Sequence, residues 1–252
     1  MAYNVALDAN ATALPSPLPI PDAPHLAMGG SIHSLPIQMT YSGTLDAAGN
    51  LTDTRSQSIL YGTMEGGLHI VDSKTGEEQM VFVPSELLRS SVASKALLKD
   101  GTDPTAPQAG LDGAWVADSS YVAKKASSPT DASLVKASRM NIYGGLRMGG
   151  SSYYGLDVLD PTAPKFLFRI DQNTTGFSRM GQSWSKPVLA NIRYDGAIKR
   201  VMIVGGGYDT CYEDPKATLT TGSCGPEAHG NAVYIVDAET GKRLWWASST
   251  GA

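Results

Sequence analysis

Residues 231–247 read NAVYIVDAETGKRLWWA: an apolar strand, a tight turn, and a second apolar strand. The same pattern occurs at residues 68–84, LHIVDSKTGEEQMVFVP, and at residues 153–170, YYGLDVLDPTAPKFLFRI. An Asp at a strand end accepts backbone N–H bonds from the turn, and Gly supplies the positive φ that a tight turn needs. The sequence therefore predicts one strand hairpin repeated three times. The turn residues are Asp72, Gly76, Asp157, Asp160, Asp237 and Gly241.

Further strands are predicted before each hairpin, beginning near Gly30, Asp112 and Gly181, and they bring each repeat to four strands. His33 falls within the first of these predicted strands. Four-stranded antiparallel units repeated along a chain are typical of β-propeller blades. We predict an all-β fold with about three four-stranded blades, at residues 29–84, 111–171 and 177–248. Propellers usually close with 4–8 blades, so we predict that residues 29–252 form a partial propeller domain, part of a larger propeller. Missing blades, a partner chain or a cap would each cover the faces that three blades leave open.

Two segments depart from this pattern. Residues 1–28 are a proline-rich lead-in. Its prolines favour an extended conformation and lack the backbone N–H groups that a paired strand needs. They are Pro15, Pro17, Pro19, Pro21 and Pro24. Residues 85–110 form an insertion between blades. Leucines at helical spacing after Ser85, a potential N-cap, predict a short helix there.

Composition excludes several function classes. The chain has 252 residues, a net charge of −4 and a pI near 5.5, which argues against nucleic-acid binding because that requires a positive field. No apolar run approaches the ~20 residues of a membrane helix. The first ten residues lack the basic and apolar regions of a secretory signal, so an exported protein would carry this chain inside a longer precursor.

Two cysteines, Cys211 and Cys224, lie in one polar stretch. They have no metal-type spacing, which favours a disulfide that closes a surface loop in an oxidising compartment. Two free thiols in a reduced protein are the alternative. No catalytic motif accompanies the four histidines, so we predict no catalytic residues, no metal site and no enzyme.

Several strings resemble the C-terminal β-propeller of the PilY/PilC family of type IV pilus tip-associated biogenesis factors and adhesins. Residues 143–161, YGGLRMGGSSYYGLDVLDP, are similar to the family pattern VGGLGxGGxxYYALDVTDP. Residues 30–36, GSIHSLP, and 60–72, LYGTMEGGLHIVD, resemble two further family motifs, and the likeness runs in order over residues 29–248. The family's calcium loop, DxDxDGxxD, does not occur. The nearest segment, residues 46–53, is interpreted as a polar hairpin turn, and no cofactor is expected.

This resemblance implies a non-enzymatic pilus tip protein or assembly factor, exported through the periplasm to the cell surface. Its expected partners are pilin or minor pilin subunits, other tip proteins or a host surface. The expected contact loops are Asp209–Gly230 and Lys99–Gly110. Two other hypotheses share the turn motif: a quinoprotein dehydrogenase propeller, which would bind quinone and Ca²⁺, and an outer-membrane assembly scaffold.

Overall fold

The computed structural model describes residues 30–89, 110–124, 133–213 and 229–249. These residues form twelve strands, one α-helix and two short 3-10 helices. The first blade contains β1 (Ile37–Leu45), β2 (Leu51–Gly62), β3 (Leu68–Asp72) and β4 (Glu78–Phe82). The second contains β5 (Trp115–Lys124), β6 (Ser133–Gly145), β7 (Tyr153–Asp157) and β8 (Lys165–Ile170). The third contains β9 (Val188–Tyr194), β10 (Ala197–Gly205), β11 (Val233–Asp237) and β12 (Arg243–Ala247).

Every strand pair is antiparallel, and each blade pairs its four strands in chain order. The predicted all-β, propeller-like fold class is therefore confirmed. The first strands begin later than the sequence motifs suggested, at Ile37 and Val188. His33, which we expected within a strand, precedes β1. The segments 30–36 and 181–187 are instead loops that lead into their blades.

One pairing was not predicted. The hairpins β1–β2 and β5–β6 extend beyond their blades, and the end of β1 pairs with the start of β6, from Ser42 opposite Lys136 to Leu45 opposite Ser133. This ladder joins the first two blades into one eight-stranded sheet, whereas the third blade is a separate four-stranded sheet. Backbone hydrogen bonds as well as packing therefore connect the first two blades.

Two apolar clusters lie between successive blades. The first joins Leu60 and Ile70 of the first blade to Ile142 and Tyr154 of the second. The second joins aromatic residues of the second blade, including Phe168, to residues of β10 and β11 in the third. Burying one such side chain stabilises the fold by about 1.5–3 kcal/mol, so these clusters hold the blades together.

The helix α1 (Ser85–Arg89) follows the first blade and begins the predicted insertion. Leu87 is buried, and the Glu86 carboxylate accepts a hydrogen bond from the backbone N–H of Ser151 at 2.7 Å. The helix is thus attached to the loop between β6 and β7. The rest of the predicted helical segment lies outside the described residues. No helix in the described part of the chain is long and apolar enough to cross a membrane.

Candidate interaction site at the loop-bearing end

Strand direction sorts the connections between strands into two ends of the three blades. The segments that lead into β1, β5 and β9, and the β2–β3, β6–β7 and β10–β11 connections, lie at one end. The opposite end carries the tight turns after Asp72, Asp157 and Asp237. We call the first the loop-bearing end and the second the turn end. Both predicted contact loops connect to strands at the loop-bearing end.

A buried carboxylate organises the loop-bearing end. The Asp112 side chain is only 1% exposed, and both of its oxygens lie within 2.9 Å of His33 Nδ1. Arg147 Nη1 donates to Asp112 Oδ2 at 2.5 Å. His33 belongs to the first blade's leading segment, and Asp112 to that of the second. A buried charge requires such partners, so this network fixes the two segments relative to each other.

Arg147 extends the network to the third blade. Its guanidinium lies 4.2 Å from the ring centroid of Trp184, a cation–π contact. The Trp184 Nε1–H donates to Gln182 Oε1 at 3.0 Å, which holds the indole in place. Arg147 has a φ of 55°, which is unusual for a side chain with a Cβ. The surrounding contacts stabilise this conformation and direct the guanidinium between blades.

Aromatic side chains continue the row toward the cysteine loop. The ring centroids of Trp184 and Tyr208 are 5.5 Å apart, and those of Tyr208 and Tyr212 are 6.5 Å apart. Trp184 and Tyr212 keep 39% and 44% of their surface exposed. Ile32 and Leu35, which flank His33, are more than 60% exposed, and Met148, which follows Arg147, is 48% exposed. We call these five residues, Ile32, Leu35, Met148, Trp184 and Tyr212, the cross-blade patch.

The cross-blade patch combines aromatic, aliphatic and Met side chains that remain exposed. Trp, Tyr, Met and Arg are enriched at interfaces, and exposed apolar groups around a fixed polar centre favour binding over solvation. No group of three or more potential metal ligands occurs among the residues the structure describes.

Asp209 fixes the base of the cysteine loop. Its carboxylate accepts hydrogen bonds from the N–H of Cys211 at 3.0 Å and from the N–H of His229 at 2.7 Å. The two ends of the loop are therefore held together beside the cross-blade patch. Cys211 lies in the 3-10 helix Thr210–Glu213, whereas Cys224 lies outside the described residues, so the Cys211–Cys224 disulfide stays a prediction. The loop Lys99–Gly110 is described only at Gly110.

The six turn residues lie at the turn end, away from the cross-blade patch. Asp72 Oδ1 accepts bonds from the N–H groups of Lys74 and Thr75, and Asp237 Oδ1 accepts the equivalent bonds from Glu239 and Thr240. These bonds stabilise the ionised carboxylate of Asp72 and lower its pKa. Burial raises the pKa of Asp237, but the hydrogen bonds from Glu239, Lys199 and Thr240 together outweigh burial and lower that pKa.

The second turn is built differently. Asp157 accepts one backbone bond, from Leu159, while Asp160 accepts bonds from the N–H and the hydroxyl of Thr162. The Thr162 bonds lower the pKa of Asp160. Gly76 and Gly241 have φ values of 71° and 72°, so the first and third turns share one geometry. These six residues shape the blades and do not contribute to the cross-blade patch.

The segment nearest to the family's calcium loop forms its own hairpin turn. Asp46 Oδ1 accepts bonds from the N–H of Asn50 at 2.8 Å and from that of Ala48 at 2.9 Å. These bonds, the one from Asn50 first, lower the pKa of Asp46. The carboxylate thus takes part in closing the turn, as the sequence interpretation proposed.

Sequence reasoning missed the residues that connect the blades. Arg147 falls inside a quoted motif, yet no spacing rule pairs it with Asp112, 35 positions away, or with His33, 114 positions away. One signal was available: Arg147 occupies a position in a glycine-rich string where the family pattern has Gly. A Cβ-bearing residue in a turn that favours glycine indicates a side chain with a specific contact.

No family model matches the chain. One curated relative is the type IV pilus biogenesis factor PilY1 of Pseudomonas aeruginosa (strain UCBPP-PA14), 26% identical over 175 residues. The chain resembles PilY1. The match covers 66% of this chain and 12% of PilY1, so the chain spans only a small part of that relative. The crystal structure of the Pseudomonas aeruginosa PilY1 C-terminal domain is 24% identical to this chain, with a TM-score of 0.47. The aligned region covers 79% of this chain and 31% of the chain in that crystal structure. The family resemblance read from the motifs is confirmed by the PilY1 match.

Proposed function

We propose that this chain is a binding segment of a protein that acts in type IV pilus biogenesis at the cell surface. Similarity to PilY1, which is named a type IV pilus biogenesis factor, supports the assignment to pilus biogenesis. The exposed side chains of the cross-blade patch support a role in binding another molecule. Its exposed Trp184 and Tyr212 lie beside the cysteine loop, at the end of the blades where the long loops emerge.

The proposed mechanism is contact without turnover. A β-sheet scaffold holds loops and aromatic side chains in one orientation, which reduces the entropy lost when a partner binds. The proposed partners are pilin or minor pilin subunits, other tip proteins or a host surface. The location that fits these partners is extracellular, at the pilus tip or outer membrane, after export through the periplasm. The predicted disulfide fits this oxidising route.

Piliation and adhesion assays test the proposal. The full-length gene would carry Trp184→Ala with Tyr212→Ala, and separately deletions of residues 90–109 or 214–228, in a strain that lacks the native copy. The matched control is Ile198→Ala with Phe166→Ala, because these side chains are 73% and 60% exposed but lie at the turn end. Surface pili and adherent cells would be counted in each strain.

We expect the patch variant and at least one deletion to reduce surface pili severalfold, while the control pair has no effect. Normal piliation and adhesion in all three test strains, with protein levels unchanged, would refute a binding role for this end of the blades. Quinone-dependent and Ca²⁺-dependent oxidation of an alcohol by the purified protein would refute the non-enzymatic role.

A further inference from the structure

A cleft lies at the turn end, between the first and second blades. Its walls are the β1–β2 hairpin and β4 of the first blade, the first half of β6, and the turn between β7 and β8. Its volume is about 520 Å³, which lies within the range of small-molecule sites in proteins. The walls come from two adjacent blades, so the cleft does not arise from an open blade face.

Three polar side chains of the cleft are each held through one atom and leave another atom unused. The Ser58 hydroxyl, in a residue that is 1% exposed, donates to Gln79 Oε1 at 2.7 Å. Asp157 Oδ1 accepts the backbone N–H two residues later at 3.0 Å, and Asp160 Oδ1 accepts the N–H and the hydroxyl of Thr162. In the described part of the chain, no hydrogen bond uses Gln79 Nε2 or the Oδ2 atoms of the two aspartates. These oriented side chains therefore leave one donor group and two acceptor atoms for an occupant.

The charges that line the cleft balance. Lys136 of β6 and Lys165 at the start of β8 line it together with Asp157 and Asp160. None of the ion pairs among the described residues joins these four groups. The bonds from Thr162 first, and the Lys165 charge after them, lower the pKa of Asp160, so its carboxylate is ionised at neutral pH. The cleft therefore has strong donors and acceptors but no net charge.

Tyr41 adds a further donor to the wall of the cleft. Its hydroxyl oxygen is buried and has no hydrogen-bond partner among the residues that the structure describes. Burial, followed by the charge of Asp160, raises the pKa of Tyr41, so the hydroxyl keeps its proton. A buried donor without a partner is costly, and an acceptor group on an occupant would remove that cost.

We propose that this cleft binds a neutral carbohydrate. Sugar hydroxyls both donate and accept hydrogen bonds, which matches a lining that contains fixed donors and acceptors. The carboxylates of Asp157 and Asp160 accept from these hydroxyls, and the Gln79 amide donates to them. Leu159 and Pro161 line the cleft with aliphatic surface for the C–H groups of the sugar ring. A charged ligand would meet a like charge as well as an opposite one, so the balanced lining favours a neutral one.

A glycan array tests this assignment. The purified full-length protein would be applied to an array of neutral, sialylated and sulfated oligosaccharides, and calorimetry would give the dissociation constant for the strongest neutral glycan. Asp160→Asn keeps an oxygen for the Thr162 bonds but loses the carboxylate, and Gln79→Glu keeps an acceptor for Ser58 but loses the N–H donor. Each variant should raise the dissociation constant about tenfold, the effect of one lost hydrogen bond.

Asp72→Asn is the matched control. Asp72 closes the equivalent turn of the first blade with bonds of the same kind, but it does not line the cleft, so this variant should bind the glycan as the parent does. Thermal melting would verify that all variants stay folded. An array without a bound neutral glycan would overturn the proposal, as would binding that both cleft variants leave unchanged. A preference for sialylated or sulfated glycans, or binding of the zwitterion glycylglycine instead, would overturn the neutral ligand class.

This proposal is independent of the pilus proposal, because the cleft and the cross-blade patch lie at opposite ends of the blades.

Discussion

Two glycines with the same backbone conformation test how closely the second and third blades pack. Gly76 and Gly241 occupy equivalent turns, with φ values of 71° and 72°. A Cβ added to Gly76 meets no atom within 4 Å, whereas a Cβ added to Gly241 lies 2.6 Å from Cγ and 2.7 Å from Cβ of Phe168. Substitution by alanine therefore imposes the same backbone strain at both sites but a steric clash at only one.

The magnitudes follow from these two terms. The left-handed conformation costs an alanine about 1–2 kcal/mol, and the lower entropy of the unfolded chain offsets about 0.4–1 kcal/mol of it. We expect Gly76→Ala to lower the free energy of unfolding by about 1 kcal/mol. Gly241→Ala adds an overpacking cost of about 1–3 kcal/mol, for a total near 2–4 kcal/mol, since atoms near the Phe168 backbone cannot swing away.

Urea denaturation followed by tryptophan fluorescence would measure both losses. Combining Gly241→Ala with Phe168→Leu should recover part of the extra stability that Gly241→Ala loses, because a smaller side chain relieves the clash. The single variant Phe168→Leu completes the double-mutant cycle. Equal losses for Gly76→Ala and Gly241→Ala would refute the reasoning, because they would mean that the turn of the third blade does not contact Phe168 in solution.

Three further predictions address buried polar groups and pH. Arg200→Met should lower the free energy of unfolding by about 1.5–3 kcal/mol, because the 4%-exposed Asp118 carboxylate loses its 2.6 Å partner from the third blade and keeps only Arg139, at 3.2 Å; an unchanged melting temperature would contradict a cross-blade ion pair. Tyr153→Phe should cost about 1–2 kcal/mol, because the Ser185 N–H loses the hydroxyl acceptor at 3.0 Å; an unchanged unfolding midpoint in urea would contradict that bond. The lowered pKa of Asp72 means that the folded state binds its proton less tightly than the unfolded state, so the stabilisation is present above the unfolded pKa of about 3.9 and is lost as pH falls through the folded pKa. The urea midpoint of Asp72→Asn should therefore fall less on acidification than that of the parent chain, and parallel pH profiles would contradict this.

The strand hairpins could be read from the sequence because their determinants are local. An Asp at a strand end, a Gly a few residues later and apolar side chains on both sides fix a turn through bonds within five residues, as at Asp237 and Gly241. The four-stranded units and the all-β class follow from repetition of that pattern. The predicted starts of β1 and β9 were too early, since these strands begin at Ile37 and Val188. The segments before them contain apolar residues that lie in loops.

The cross-blade contacts could not be read in this way. His33 and Asp112 are 79 positions apart, and Asp118 and Arg200 are 82 apart. Each pair depends on how one blade is rotated against the next. The ladder between β1 and β6 depends on the same rotation, because it forms only where two extended hairpins meet.

The amino-acid sequence thus determined the repeating hairpin, its turns and the resemblance to a pilus family, since each depends on residues close together in the chain. Only the tertiary structure decided which polar groups meet between blades and which aromatic side chains remain exposed at the loop-bearing end. Those features depend on packing between sheets, where residues distant in sequence come into contact and the free energy of burial, rather than local backbone preference, selects the arrangement.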